Sequence, residues 1–343
     1  MKAAPLLRAL RGSLRAVLVH TGQHYDSEMS RSFFEELRIP APDHDLGIGS
    51  GSHGRMTGRM LEGLERVMID VDPDLVLVVG DTNSTLAGAL AAAKLGIEVA
   101  HVEAGLRSFD TRMPEEINRR LTDHSSTLLF CPTPTAVANL RREGLRRGVH
   151  RVGDVMMDAV LQNLARARRA GESGPDPEPR SYYLATLHRQ ELVEDPVRLE
   201  RVVTALDRLP HPTLFPVHPR TRRRLRALGF RPQGSLRPMP PQPYLSMLRL
   251  QAGARVVLTD SGGVQKEAYI LGTPCLTLRS STEWVETLRG GANRLVGADS
   301  TRIETALQRI EAHPPRWNVG AVYGDGTAAK KITEIIVRYL GRA

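Results

Sequence analysis

The chain has 343 residues, which is long for a single core and comfortable for two domains of ordinary size. Its net charge of +9 fits an acidic partner such as a nucleic acid, a membrane surface or a phosphorylated small molecule. Aromatic residues make up only 4% of the chain and much of the arginine excess is scattered over predicted helices, so nucleic-acid binding is discounted.

The cysteines and the apolar stretches indicate where the protein resides. Cys131 and Cys275 offer neither a disulfide framework nor a zinc motif, which predicts a cytoplasmic protein. Arginines interrupt the mildly apolar N-terminus, so we expect no signal peptide. The longest apolar stretch, residues 86–102, contains Lys94 and Glu98, and no membrane partner is expected.

Strands and helices alternate along the first half of the chain. Strands are predicted at residues 15–20, 74–79, 98–102, 127–131 and 149–152. Helices are predicted at residues 5–12, 27–37, 54–69, 86–95, 114–126, 134–143 and 154–169.

A Gly/Pro/Glu-rich linker at residues 171–179 precedes a second alternating half. Its strands are predicted at residues 182–187, 213–217, 254–258, 274–278 and 293–296, and its helices at 196–208, 220–228, 243–252, 264–271, 282–289 and 301–312. A proline-rich loop occupies residues 238–243, and a last helix spans 326–340. This pattern predicts an α/β protein of two Rossmann-like domains, residues 1–170 and 171–325, with parallel sheets facing a cleft.

Three carboxylates come just after strand ends in the first half. Asp81 and Glu103 follow the predicted strands 74–79 and 98–102, and Glu115 opens the helix after the Glu103 loop. Carboxylates gathered at one sheet edge raise one another's pKa and suit proton transfer or the stabilisation of a cation. Taken singly, Asp81 could instead cap its helix, and Glu115 could be a first-turn carboxylate that interacts favourably with the helix dipole.

A Ser-Gly-Gly turn at 261–263 joins a buried strand to a helix in the second half. Such a turn lets backbone N–H groups approach a phosphate at a helix N-terminus, although its glycines could merely make room. Glu267 lies about one helical turn deeper, where its carboxylate could accept hydrogen bonds from a ribose. His188 with Arg189, and His218, end neighbouring strands and are candidates for a phosphate clamp.

Neither a metal site nor a dinucleotide site is expected. His20 and His24 are four residues apart, but they span a strand end and a turn instead of one helix face. Residues 49–54 match Gly-x-Gly-x-x-Gly, yet no convincing strand precedes them. The chain is therefore predicted to use no cofactor.

Six segments, taken in order, resemble the non-hydrolysing UDP-N-acetylglucosamine 2-epimerase family. They are HTGQHYD at 20–26, GDTNST at 80–85, HVEAGLR at 101–107, PEEINR at 114–119, TLHRQE at 186–191 and TDSGGVQKEA at 259–268. The resemblance spans about residues 2–297. It implies a glycosyltransferase-B-like fold, whose final segment, residues 326–343, packs back on the first domain, and a homodimer.

The resemblance also implies the reaction and its residues. UDP is eliminated across carbons 1 and 2 of the sugar to leave a glycal, and is added back after reprotonation on the opposite face. The matched positions are the carboxylates Asp81, Glu103 and Glu115, the active-site His188, the diphosphate contacts Ser261, Gly262 and Gly263, the ribose contact Glu267, and Lys2. The implied partner is a UDP-sugar.

Three departures from the family pattern bear on this reading. The chain begins at Lys2 of the matched pattern, so the family's opening strand and Gly-Thr-Arg-Pro-Glu loop are expected upstream or missing. Leu192 replaces a usual Asn. Trp284 and Lys266 resemble the branch that includes epimerases of UDP-2,3-diacetamido-2,3-dideoxyglucuronate, whose extra carboxylate an added lysine would suit.

Two other functions stay open. A glycosyltransferase of the same architecture would need an acceptor, and three carboxylates in the first domain exceed what an inverting transferase requires. A non-catalytic paralogue would bind the sugar nucleotide without turnover.

Overall fold

The computed structural model describes residues 1–22, 34–170 and 177–341. Its strands are β1 (Val19–His20), β2 (His44–Asp45), β3 (Leu75–Val79), β4 (Glu98–Val102), β5 (Leu128–Cys131), β6 (Val149–Arg151), β7 (Tyr183–Thr186), β8 (Thr213–Pro216), β9 (Leu236–Met239), β10 (Val257–Thr259), β11 (Cys275–Thr277) and β12 (Asn293–Leu295). Its α-helices are α1 (Ala3–Leu10), α2 (His53–Val71), α3 (Asn83–Lys94), α4 (Pro114–His124), α5 (Pro134–Arg142), α6 (Val155–Ala170), α7 (Gln190–Val193), α8 (Pro196–Asp207), α9 (Pro219–Ala227), α10 (Tyr244–Gly253), α11 (Gly262–Leu271), α12 (Ser300–Ala312), α13 (Gly320–Tyr323) and α14 (Ala328–Leu340). A 3₁₀ segment spans Val285–Gly291.

The chain forms two compact units. Unit 1 comprises Met1–Ala159 together with Gly320–Ala343, and unit 2 comprises Val160–Val319, so the division falls within α6. Both units are built on parallel sheets flanked by helices, as the alternating pattern predicts.

The main sheet of unit 1 is parallel, with the strand order β3-β4-β5-β6, and β1 and β2 form a separate parallel pair. Side chains alternate between its faces because strand residues have a period of two. Ala100 and Val102 pack with Phe130 into one core, whereas Val99 packs with the alanines of α3 into another. Both faces are thus covered, which is why these strands read as continuous apolar runs.

The last helix, α14, completes the core of unit 1. Its apolar face places Ile332 and Ile336 against Leu6 of α1 and Phe130 of β5. Asp158 fixes the helix start, because its carboxylate accepts hydrogen bonds from the backbone N–H groups of Ala328 (3.2 Å) and Ala329 (2.9 Å).

Unit 2 contains a six-stranded parallel sheet with the order β12-β11-β10-β7-β8-β9. The chain runs from β7 outward to β9, and then returns to β10 and runs outward to β12 on the other side. The loops after β7 and β10 therefore leave in opposite directions, which makes this pair of strands the topological switch point where ligands of such sheets bind.

Local predictions fail in a few places. Strand β9 extends into the predicted proline-rich loop, and its Pro238 pairs with Phe215. Because β9 is the edge strand of the sheet, a residue without an N–H is tolerated there. The predicted helix 282–289 is instead the 3₁₀ segment, which Arg289 and Gly290 break with non-helical backbone angles. The predicted strand 15–20 shrinks to β1, and most of the predicted helix 27–37 lies outside the described residues.

No helix within the described part of the chain is both long and apolar enough to cross a membrane.

Candidate active site

Lys2 and Glu103 form an ion pair at the carboxyl end of the unit 1 sheet. Glu103 is only 4% exposed, and burial lowers the pKa of Lys2 less than the Glu103 and Asp81 carboxylates raise it, to about 12. Gly80 leaves room for the pair, because a Cβ there would lie 3.4 Å from Glu103 Oε2 and 3.8 Å from Lys2 Nζ. Lys2 therefore stays cationic beside the carboxylate.

The backbone of Glu103 is strained. Its φ of +74° lies in the left-handed region, which costs a residue with a Cβ about 1–2 kcal/mol. The N–H groups of Glu103 and Ala104 both donate to the Phe130 carbonyl, each over 3.1 Å, and hold the chain in this turn. Strain of this kind persists where the surroundings fix it, and it clusters at functional sites.

Asp81 pairs with a buried arginine. Its Oδ2 atom lies 2.5 Å from an Arg119 guanidinium nitrogen, while Thr82 is the residue that caps α3. Burial raises the pKa of Asp81, Arg119 and Lys2 oppose the rise, and the charges of Glu103 and Glu115 add to it, so the pKa stays above its ordinary value. Asp81 is therefore better suited to carry a proton than an ordinary aspartate.

Glu116 holds Arg119 in place. Its Oε2 accepts hydrogen bonds from Arg119 (2.8 and 3.1 Å) and from the N–H of Ser108 (2.9 Å), and its Oε1 accepts from the N–H of Phe109 (3.2 Å). Burial raises the pKa of Glu116, but these donors outweigh burial and lower it. The adjacent Glu115 lies in the first turn of α4, half-buried.

The loops after β7 and β10 meet through Asp260 in unit 2. The fully buried Asp260 carboxylate accepts hydrogen bonds from the N–H of His188 (2.9 and 3.2 Å) and of Arg189 (2.9 Å). The hydroxyls of Thr186 and Thr259 also meet, at 2.6 Å. The predicted histidine loop and the Ser-Gly-Gly turn therefore lie together at the switch point of the sheet.

His188 and His218 lie close to each other, with ring centroids 6.1 Å apart. Burial lowers the pKa of His188, the Asp260 carboxylate opposes this, and Arg189 and Arg220 lower the pKa further. Burial, His188 and Arg220 lower the pKa of His218, and Asp260 opposes this; the Nδ1 of His218 accepts from the N–H of Arg220 and caps α9. Both rings are therefore neutral hydrogen-bonding groups near pH 7.

The Ser-Gly-Gly turn opens α11, as predicted. Ser261 is the N-cap and accepts from the N–H of Val264 (3.5 Å). A Cβ on Gly262 would lie 2.3 Å from Glu283 Oε1 and 3.1 Å from Trp284 Nε1, so these side chains would have to shift. A Cβ on Gly263 would meet only Ser261 Oγ, at 3.9 Å. The N-terminal side of the helix at Gly263 is thus open to an anion.

Glu267 lies one turn into α11 and is 3% exposed. Gln251 donates a hydrogen bond to its Oε2 over 2.7 Å. Burial and this carboxylate both raise the pKa of Tyr244. The protein therefore fixes the orientation of Glu267.

Sequence reasoning missed the groups that hold these residues. Arg119, Glu116 and Asp260 all fall inside the matched motifs, but no role was predicted for them. A signal existed for the first two, since Glu116 and Arg119 are three residues apart on one helix. Lys266 is fully buried with its Nζ 3.8 Å from the centroid of the Trp284 ring, so both branch-like departures meet in one cation–π contact.

Comparison with known proteins identifies the family. The model of the UDP-N-acetylglucosamine 2-epimerase family matches residues 8–337. The UDP-2,3-diacetamido-2,3-dideoxy-D-glucuronate 2-epimerase of Pseudomonas aeruginosa is 47% identical, over 98% of this chain and 96% of its own.

Solved structures agree. The Methanocaldococcus jannaschii UDP-GlcNAc 2-epimerase in complex with UDP-GlcNAc and UDP is 43% identical, with a TM-score of 0.90 over 98% of this chain and 96% of its own. The calicheamicin glycosyltransferase CalG4 shares the fold alone, with 15% identity and a TM-score of 0.58 over 100% of this chain and 95% of its own. The chain belongs to the UDP-N-acetylglucosamine 2-epimerase family.

Proposed function

We propose that this protein inverts carbon 2 of a UDP-linked 2-acetamido sugar, converting UDP-N-acetylglucosamine to UDP-N-acetylmannosamine. The observation that carries the proposal is the cluster of Lys2, Asp81, Glu103 and Arg119, in which two carboxylates are held beside two cations at a strand end. The bound UDP-GlcNAc of the Methanocaldococcus jannaschii relative supports the substrate class.

The reaction needs groups that move a proton while charge develops. The hydrogen on carbon 2 is not next to a carbonyl, so it becomes acidic only as the bond from carbon 1 to the UDP oxygen breaks. A carboxylate takes this proton, the C–H electron pair forms the double bond of the glycal, and UDP leaves with the C–O electrons. Protonation of carbon 2 on the opposite face, and attack of UDP on carbon 1, then complete the inversion.

The unit 1 carboxylates are proposed to act on the sugar. Asp81, with its raised pKa, is suited to exchange a proton near neutral pH. Glu103, held against Lys2, is suited to stabilise positive charge at carbon 1, and Glu115 adds a third carboxylate to the cluster.

The unit 2 residues are proposed to hold the nucleotide. The Ser261 hydroxyl and the N–H groups of Gly262 and Gly263 at the start of α11, with His188, Arg189 and His218, provide donors for the diphosphate. Glu267, oriented by Gln251, is suited to accept from the ribose hydroxyls. Stabilising the departing diphosphate lowers the barrier to elimination.

A second candidate substrate is UDP-2,3-diacetamido-2,3-dideoxyglucuronate. The observation that favours it is the 47% identity to the Pseudomonas aeruginosa enzyme named for that compound. Lys266 adds little to this candidate, because its side chain is fully buried over Trp284.

Proton NMR in D₂O tests the proposal. The protein is incubated with UDP-N-acetylglucosamine and no acceptor, in parallel with the diacetamido-uronate nucleotide and with the E103Q variant as a control. The manno epimer carrying deuterium at carbon 2 is the expected product. Silence without an acceptor but UDP release with one would indicate a glycosyltransferase, and UDP binding with no turnover of either nucleotide would indicate a non-catalytic paralogue.

We also propose a cytoplasmic homodimer. Two buried free thiols, Cys131 and Cys275, suit a reducing compartment. Dimerisation rests on the family resemblance alone, and sedimentation equilibrium would test it, with a monomer mass counting against it.

A further inference from the structure

A fully buried ion pair, His101 with Asp123, lies behind the candidate carboxylates in unit 1. His101 Nδ1 is 2.7 Å from Asp123 Oδ1, and His101 Nε2 is 2.8 Å from the carbonyl oxygen of Gly80. Because both ring nitrogens face acceptors, the imidazole acts as a donor at both ends. Burial raises the pKa of Asp123, but His101 and Arg107 outweigh burial and lower it.

The pair bonds to the backbone of both carboxylate loops. Gly80, which accepts from His101, directly precedes Asp81. Asp123 Oδ2 accepts from the N–H of Gly105 over 3.1 Å, two residues beyond Glu103. His101 therefore reaches one loop directly and the other through Asp123, while lying on the strand that leads into Glu103.

The Glu103 loop needs such support, because Glu103 has a φ of +74°. A left-handed residue with a Cβ keeps its conformation only where its surroundings fix it. Asp123 also pairs with the buried Arg107 guanidinium over 2.7 Å, so its charge has a structural partner. The contact that this pairing does not explain is the hydrogen bond from His101 to Gly80, directly before Asp81.

We propose that His101 and Asp123 are positioning residues, which hold the carboxylates of Asp81 and Glu103 at the separation that the reaction needs without touching the substrate. The inference rests on the proposed epimerase function. It adds to the proposed catalytic carboxylates the two residues that position them.

Two substitutions of His101 separate its two contacts. The amide nitrogen of asparagine replaces Nδ1 and keeps the bond to Asp123, whereas that of glutamine reaches the place of Nε2 and keeps the bond to Gly80. H101N should lower kcat about 100-fold, since a shift of about 1 Å in a catalytic group costs about that much, and H101Q, which keeps the bond to Gly80, should lower it less. KM should change by less than about twofold, because the nucleotide contacts lie in unit 2.

D158N is the matched control. It weakens a buried carboxylate that caps α14 in the same unit but bonds to neither carboxylate loop. It should lower the melting temperature, because an amide cannot accept from both N–H groups at the start of α14, and it should leave kcat unchanged. If H101N lost only stability and kept its kcat, as D158N does, His101 would be structural and the proposal would be wrong. If H101N does not fold, H101Q and D123N carry the same comparison.

A second readout does not depend on turnover. Carboxyl ¹³C NMR follows the titration of Asp81, whose pKa lies above its ordinary value. Releasing the Gly80 turn should move Asp81 relative to Arg119 and Lys2, so its pKa should change in H101N and stay as in the wild type in D158N. A wild-type protein that epimerises no UDP-sugar would refute the proposed function alone. An Asp81 titration unchanged in H101N would refute the positioning role.

Discussion

Replacing Arg119 with methionine tests whether the carboxylate cluster is held together by this one guanidinium. Arg119 is 2% exposed and reaches Asp81 at 2.5 Å, Glu116 at 2.8 and 3.1 Å, and Ser108 Oγ at 3.3 Å. R119M keeps the volume of the side chain and removes the charge. It therefore leaves the 1% exposed Glu116 carboxylate without its counter-ion.

Breaking a buried pair by removing one partner costs about 3–5 kcal/mol. The loss here should lie near the lower limit, about 3 kcal/mol, because the N–H groups of Ser108 and Phe109 still donate to Glu116. Adding E116Q to R119M removes the orphaned charge and should recover part of this loss. Activity should stay low in both variants, because Asp81 has lost its counter-charge and its pKa rises further.

Urea unfolding followed by far-UV circular dichroism gives the overall loss of stability. Hydrogen exchange of peptides spanning residues 104–124 shows whether the loss is local to the cluster. The kcat of each variant comes from the NMR assay. A stability loss in R119M below about 1 kcal/mol would contradict the buried-pair argument. Recovery of kcat in the R119M/E116Q double variant would show that Asp81 does not need Arg119.

Three further predictions concern single residues of unit 1 and unit 2. The stabilising contribution of protonated Asp81 is fully present below its unfolded pKa and is lost as pH rises through its raised folded pKa. D81N should therefore be more stable than the wild type near neutral pH but not in acid. Denaturant titrations at several pH values would show this difference. G262A should lose stability, because its Cβ would lie 2.3 Å from Glu283 Oε1. G263A should fold normally and bind UDP more weakly in calorimetric titration. Equal UDP affinity in G263A and wild type would argue against close approach of the diphosphate to Gly263. E267Q removes a charged acceptor and should weaken UDP binding about tenfold with little effect on deoxy-UDP, since a hydrogen bond to a charged group is worth about 1.5–3 kcal/mol.

The sequence predicted the elements whose physics is local. Strand β4 was predicted at residues 98–102 and lies there, because a parallel strand covered on both faces must be a continuous apolar run. The same reasoning wrongly predicted a loop at Pro238. Whether a proline can join a strand depends on which strand lies at the sheet edge, and edge position is a property of the whole sheet.

The residues of the candidate site could likewise be predicted only in part. Asp81 and Glu103 were predicted from strand ends, because parallel strands place their carboxyl ends at one edge. The partner of Asp81 could not be predicted from spacing, since Arg119 is 38 residues away and meets it only through the packing of α4. Likewise, the left-handed backbone of Glu103 depends on contacts with Phe130, on a neighbouring strand.

The cost of the unit 1 cluster is itself an argument for chemistry. The cluster gathers charges of both signs at one strand end, with Glu103 and Arg119 buried, and Glu103 adds backbone strain. A group that only stabilised the fold would be expected to have a pKa shifted toward its ionised form. Asp81 has the opposite shift, although Arg119 and Lys2 oppose it. A carboxyl kept closer to its neutral form beside two cations is suited to give up and regain a proton, which is what epimerisation at an unactivated carbon demands.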